Sequence, residues 1–528
     1  MFVPVTPLEF RRRAERLFGQ KIGVVDGEKR FTYAEFGERS RRLAAALRGL
    51  GIQPGEVVSF LTYNTHHLLE AYYGVLAAGA VLNPINIRLH PKEIAYILNH
   101  AESRALFFHR DFAPIVDGFR GAIETVRELV ALEPDGSPPL AAHEYEAMLS
   151  ASPPQAVDPE VDENSMAELF YTSGTTGRPK GVSLSHRALY LHALYAAIAK
   201  KTIDATVHLH VVPMFHVNGW GAPHTVTATG GRHVMLRKID PLEIFRLIEK
   251  ERVTSVYAVP AIYNALVNHP RAGTFDLSSL RLIISGGAPA SPALIKAIEE
   301  KLGCQAVVGY GLTETSPVLA VAFPKAHLRH ESPERQLERR TKTGYSILGV
   351  ETRVVDEYGR DVPADGATVG EIIARSNVVM DGYFRDPQAT ADAIRDGWFH
   401  TGDIATVDAE GYINIVDRKK DIIISGGENI SSVEVENTIF AHPAVYECAV
   451  LAVPDAQWGE VPKALVVLKP GAAATADELI QFCRERLAHF KAPKSVEFCD
   501  ALPKSGTGKI LKAELRERYW TGHAKRVH

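Results

Sequence analysis

The sequence predicts an α/β protein: a large, multi-layered α/β N-terminal domain followed by a small, mobile α+β C-terminal domain. Three observations predict this. The chain has 528 residues, more than one hydrophobic core normally supports. Stretches with helical apolar spacing alternate with short apolar runs throughout, the pattern of helices packed on a largely parallel sheet. Finally, a run of charged residues inside "VDRKKDIII", Val416 to Ile424, separates two strand-like runs, and the remainder of the chain has the size of a small independent domain. The expected division is therefore a domain over 1–416, a hinge over 417–421 and a second domain over 422–528.

Taken in order, "RRR" at Arg11 to Arg13 reads as one solvated helix face. "FTYAEFGERSRRLAAALRGLG" offers Thr32 as an N-cap, Glu35 three residues later and a helix closing near Gly51. The apolar stretch from Ala71 to Leu82 is too short to span a membrane. Pro91 opens a further helix. Ser150 to Asn164, rich in proline and acid, reads as a surface connection. "LRLIISGGAP" and "CQAVVGYGLTET" read as buried strands running into loops, where open α/β sheets collect ligands. Pro324 to Lys342 is a charged surface insertion with helical character.

Composition narrows the function. A net charge of −4 argues against electrostatic nucleic-acid binding. Four cysteines, Cys304, Cys448, Cys483 and Cys499, form no C-x-x-C pair and no metal-ligand spacing, which fits a reduced cytoplasmic setting. The N-terminus lacks the order of regions found in a signal peptide, and no integral membrane association is expected.

The stretch "YTSGTTGRPKGV", Tyr171 to Val182, is built for phosphate. Its glycines, Gly174 and Gly177 among them, let backbone N–H groups approach phosphate oxygens. Thr172, Ser173, Thr175 and Thr176 can donate hydroxyl hydrogen bonds, and Lys180 adds positive charge. It is not a Walker loop, because Arg178 and Pro179 separate Gly177 from Lys180. "PKSGTGKI", Pro503 to Ile510, also fails that pattern: Pro503 stands where a glycine is needed and Ile510 where a hydroxyl is needed. "GYGLTET", Gly309 to Thr315, fails the dinucleotide fingerprint at Glu314.

These stretches, in this order, resemble the motifs of the acyl-adenylate-forming superfamily, which includes acyl-CoA synthetases, luciferases and peptide-synthetase adenylation domains. The resemblance runs from about Phe31 to Leu515. It implies ATP, Mg²⁺ and coenzyme A as cofactor and co-substrates. It places Tyr310 and Gly311 against the adenine ring, with Gly286, Gly287 and Ala288 of "SGGAP" forming the other wall. Thr313 would contact the α-phosphate and Glu314 would hold Mg²⁺. Asp403 in "FHTGDIA" would accept hydrogen bonds from the ribose hydroxyls, and Arg418 would reach the same region. Lys509 would swing in to meet the reacting carboxylate and the α-phosphate. Gly426 and Gly427 of "SGGENI" would line the tunnel for the thiol arm, Lys420 would be the pivot, and Trp458 and Phe490 match aromatic positions that face the CoA nucleotide in some relatives. Ala492 stands where one such relative uses arginine. Relatives of this size are often homodimers.

"PMFHVNGWG", Pro213 to Gly221, should flank the acyl site. Peptide-synthetase domains carry Phe-Asp there to pair with an amine; here the pair is Phe215-His216, which argues against an amino-acid substrate. His216 either contacts the substrate carboxylate or is a satisfied interior histidine. The remaining pocket candidates are apolar or small: Val217, Gly219, Trp220, Gly309 and Val318. The pattern is most similar to bacterial medium- and long-chain fatty acyl-CoA synthetases. The expected activity is an ATP-dependent carboxylate–CoA ligase working through an acyl-adenylate. An aryl or short substituted acid, or an enzyme that loads a carrier protein, are the alternatives.

Overall fold

A computed structural model describes residues 1–133, 140–154, 158–172, 178–418, 421–426, 428–455, 457–504 and 508–520, without the side chains of Arg418 and Asn429. The Ser173–Gly177 part of the phosphate-type loop, the pivot Lys420 and Gly427 lie outside the described residues.

Among the described residues the strands form four sheets. In the first, the strands Val207–His210, Ser255–Ala258, Leu282–Ser285 and Gln305–Gly311 lie side by side and parallel. Their burial explains their composition, since a strand covered on both faces reads as a continuous apolar run. The helices Pro241–Glu251, Pro260–Val267 and Pro292–Leu302 each begin with proline at the first turn, where its missing N–H costs nothing. They bury Ile244, Ile248, Leu266, Leu294 and Ile298 in the same core as Val256 and Ile283.

The second sheet has the parallel strands Val57–Leu61, Val81–Pro84 and Ala105–His109 at its centre. It carries the antiparallel hairpin Met166–Thr172 and Lys180–Ser185 towards one edge. Helix Tyr33–Gly49 begins with the expected capping box of Thr32 and Glu35, and helix Pro91–His100 with the expected proline. Helix His66–Ala77 is buried along its whole length.

The third sheet is antiparallel and joins Val350–Val355, Gly370–Ser376, Trp398–Val407 and Ile413–Arg418. The fourth begins at Ile423, and its long strands Val445–Asp455 and Gly459–Leu468 pair antiparallel. It has a core of its own, with Ile423, Val435, Ile439, Val450, Val466 and Leu479. The charged insertion holds a helix, Pro333–Thr341, with no buried residue.

One expectation is corrected. Arg11 to Arg13 do not share a solvated face. Arg11 is buried, and its Nη2 donates to both carboxylate oxygens of Asp158 at 2.6 Å. Arg13 reaches the carbonyl of Ala228 at 2.8 Å. Successive helical residues point about 100° apart, so three in a row cannot lie on one face.

Candidate functional site

The parallel strands of the first sheet deliver the site from their carboxyl ends. Ser285 leads into Gly286, Gly287 and Ala288; Gln305–Gly311 ends at Gly309, Tyr310 and Gly311; His210 leads to His216 and Trp220; and Ala258 leads to Val259. Close approach explains the glycines. A Cβ on Gly286 would sit 2.7 Å from the Gly309 carbonyl and 3.1 Å from the Trp220 ring. A Cβ on Gly309 would sit 2.9 Å from Ile284, and one on Gly311 would collide with the Pro317 carbonyl at 1.6 Å. Thus Gly286, Gly287, Gly309 and Trp220 form one surface, with Val318 buried in the apolar cluster against which Trp220 packs.

The segment that carries Trp220 has an unusual backbone. Val217, Asn218, Gly219, Trp220 and Gly221 all have positive φ, between 35° and 79°. Such a run persists only where its surroundings hold it, and three partners do. Asn218 Oδ1 accepts from the Gly221 N–H at 2.7 Å, while Asn218 Nδ2 donates to Glu168 at 3.2 Å. The buried Glu168 is in turn held by His224 Nε2 at 2.6 Å. The Lys200 ammonium donates to the Trp220 carbonyl at 2.6 Å and sits 4.5 Å from the centre of the Tyr257 ring. Burial pulls the Lys200 pKa down to about 7. None of Asn218, Glu168 or Lys200 is legible as functional in the sequence, although asparagine in a glycine-flanked turn is the usual signal for positive φ.

Around this surface lie the polar groups. Tyr310 donates its hydroxyl proton to Asp403 Oδ2 at 2.6 Å. Asp403 stands directly opposite Arg418 across two antiparallel strands, so a pairing in space joins two motifs that are separate in sequence. Glu314 follows Thr313 in a single 3₁₀ turn, and its Oε1 accepts from the Tyr383 hydroxyl at 2.9 Å. Lys180 lies 5.0 Å from the centre of that same Tyr383 ring and is paired in register with Thr172 at the stem of the phosphate-type loop. A cavity of about 350 Å³ beside the stem is lined by Arg178 and Lys180 together with Tyr96, His100 and Phe384.

The C-terminal part of the chain reaches into this cleft. A Cβ on Gly508 would stand 3.0 Å from Val259. Burial, with the charge of nearby Lys509, lowers the His216 pKa to about 4, so its imidazole is neutral at pH 7. The Asn264 side chain donates to the Tyr446 carbonyl at 2.7 Å, and Phe440 packs on the core of the large domain. On the far side, Gly426 has φ 59° and its N–H donates to the Trp458 carbonyl at 2.8 Å. A Cβ on Gly426 would meet the Trp458 ring at 2.6 Å. Trp458 and Phe490 are exposed aromatics, at 44% and 42%.

Residues 10–384 match the AMP-binding enzyme family, and residues 434–509 match the AMP-binding enzyme C-terminal domain. The chain belongs to the AMP-binding enzyme family. It is 42% identical over 521 residues to a long-chain-fatty-acid–CoA ligase of Thermus thermophilus, covering 97% of this chain and 95% of that one. It is 39% identical to a 4-hydroxybutyrate–CoA ligase of Metallosphaera sedula, covering 97% and 94%. Among solved structures, an anthranilate CoA ligase in complex with anthranoyl-AMP superposes with a TM-score of 0.91 at 27% identity, covering 99% of this chain and 98% of that one. No helix among the described residues is long and apolar enough to cross a membrane.

Proposed function

We propose that the protein is an ATP-dependent carboxylate–CoA ligase that first makes an acyl-adenylate and then transfers the acyl group to the thiol of CoA. The observation that carries this reading is the approach of the Gly508–Lys509 segment to Val259 and His216, which follow parallel strands of the same sheet whose strand Gln305–Gly311 carries Tyr310.

The chemistry follows from charge. Attack of a carboxylate on the α-phosphate of ATP brings two anions together. Lys180 and Lys509, entering from opposite domains, offset that repulsion and stabilise the charge that develops as pyrophosphate leaves. Thr313 and the hydroxyl-rich loop from Thr172 to Gly177 hold the phosphates. Asp403, a pure acceptor when ionised, takes the ribose hydroxyls with Arg418 beside it. Glu314 suits Mg²⁺: it is a hard oxygen ligand, oriented by Tyr383, within reach of the cleft. Held by Glu314, an Mg²⁺ ion would supply positive charge against the phosphates.

The second step needs room for a thiol arm. We place the hinge at residues 417–421, with Lys420 as pivot, so that the small domain turns Gly426 and Gly427 towards the cleft and withdraws Lys509. Trp458 and Phe490 then offer exposed rings to the CoA nucleotide. The neutral His216, at the boundary between the carboxylate site and the pocket, is suited to orienting the acid.

For the acid itself, the pocket of Val217, Gly219, Trp220, Gly309 and Val318 suits an apolar tail, and a medium- or long-chain fatty acid is the leading reading. An aryl or short acid is the second. It is favoured by the Trp220 ring, which rests on Gly286 and Gly287 and shortens the pocket. With every described cysteine free, a cytoplasmic setting fits.

The test is incubation with ATP, Mg²⁺, CoA and a panel of straight-chain and aryl acids, with pyrophosphate, AMP and acyl-CoA measured separately. Acid-dependent formation of all three supports the ligase. Pyrophosphate and acyl-adenylate without acyl-CoA would overturn it in favour of an enzyme that loads a carrier protein.

A further inference from the structure

Far along the chain from the adenylate motifs, helix His66–Ala77 begins with two histidines that face the short helix Tyr145–Ala151. His66 Nε2 lies 3.8 Å from Glu146 Oε1, and His67 Nε2 lies 3.7 Å from the same oxygen. All three ligand atoms fall within 4.8 Å of one another. We propose that His66, His67 and Glu146 form a binding site for a divalent transition metal, with Zn²⁺ as its natural fit.

Four observations support the site. The first is unpartnered nitrogen. Both histidines are fully buried, yet His66 Nε2 and both ring nitrogens of His67 have no hydrogen-bond partner. A buried polar atom without a partner is destabilising, a cost that a metal bond would remove. The second is ring placement. Consecutive helical residues ordinarily point apart, but these two rings lie side by side with centroids 3.8 Å apart, and both Nε2 atoms face Glu146 Oε1.

The third is the outer support. His66 Nδ1 donates to Asp26 Oδ2 at 2.6 Å, which leaves Nε2 as the nitrogen that faces Glu146 and that a metal would take in place of a proton. A carboxylate behind the imidazole is the usual backing of a metal-bound histidine. The fourth is charge. Asp26, Glu70, Glu133 and Glu146 are linked through Arg39 and Arg237. Four carboxylates against two guanidiniums leave the network anionic, with Lys29 reaching only Glu133, at 3.7 Å. The Arg39 guanidinium donates to both oxygens of Glu146, at 2.9 Å to Oε2 and 2.7 Å to Oε1, and each carboxylate oxygen keeps a second lone pair.

Bonds of roughly 2.0–2.2 Å in a tetrahedron put ligand atoms about 3.3–3.6 Å apart. The two imidazole–carboxylate spacings need to contract by a few tenths of an ångström, and the two rings, 3.8 Å apart between centroids, need to spread by about an ångström to share one tetrahedral ion. Two imidazoles and one carboxylate leave the fourth position to water. The ion would clasp two helices about eighty residues apart in sequence.

The test uses the full tag-free chain incubated with Zn²⁺, dialysed against metal-free buffer and assayed by elemental analysis. The wild type is expected to keep about one Zn²⁺ per chain, and Co²⁺ in its place should give the visible absorption of a four-coordinate N/O site. Glu146→Gln and His67→Ala should each lose the ion. Asp26→Asn should weaken it by about 10–100-fold, while Glu314→Gln, altered in the nucleotide cleft, should retain it. Should His67→Ala fail to fold, Glu146→Gln, on a half-exposed side chain, decides alone. A folded wild type that keeps no zinc, or equal retention in the wild type and Glu146→Gln, overturns the proposal.

Discussion

Replacing Lys200 with methionine probes how the Trp220 segment, the proposed acyl pocket, is held. Lys200 caps the end of helix His186–Ala199 and is only 3% exposed; its ammonium holds the Trp220 carbonyl at 2.6 Å. Burial lowers its pKa from 10.5 to about 7. The folded protein therefore gives up this proton near pH 7, whereas the unfolded chain keeps it until near pH 10.5. Between those values the unfolded state binds more protons, so this group makes stability rise with pH, at up to about 1.4 kcal/mol per unit. From pH 7 to pH 9 the gain is about 2 kcal/mol. Methionine keeps the length of the side chain and removes the titration, so the wild type should gain that amount relative to Lys200→Met over the same interval. Denaturant unfolding of the large domain, monitored by tryptophan fluorescence at pH 7, 8 and 9, measures it. The variant should also alter kcat/KM across the acid panel, because the Trp220 carbonyl loses its donor, while the KM for ATP stays near the wild-type value. Parallel stability curves for the two proteins would refute the reasoning, since they would mean that Lys200 keeps an ordinary pKa.

Three further outcomes are expected. Trp220→Ala should shift preference towards longer or bulkier acids, by about 1–3 kcal/mol per methylene at most, read as kcat/KM over straight-chain acids; an unchanged profile would make Trp220 purely structural. Lys509→Ala should slow adenylate formation by at least about 2.7 kcal/mol while sparing thioester formation from supplied acyl-adenylate, and equal loss in both half-reactions would contradict the assigned division of labour. Tyr310→Phe removes the hydroxyl that donates to Asp403 at 2.6 Å. A hydrogen bond to a charged group contributes about 1.5–3 kcal/mol, so the KM for ATP should rise roughly tenfold or more, and an unchanged value would detach Asp403 from the nucleotide.

Much of this protein was legible in the chain itself, because its signals are local. The capping box of Thr32 and Glu35, the proline Pro91 that opens a helix and the apolar strands ending in glycine each act over a few residues, and each appears in the structure where spacing placed it. The ordered motifs likewise marked the family to which the chain belongs, since phosphate chemistry demands particular residue types close together in sequence. Tertiary structure alone decided what depends on distant partners. Arg11 is buried because Asp158, 147 residues away, receives it. The positive-φ run at Trp220 stands on Glu168, His224 and Lys200, which come from three other elements. His66 and His67 meet Glu146 only when two helices pack. Burial and charge at such places come from groups the chain brings together across long separations, and no window of sequence contains both partners.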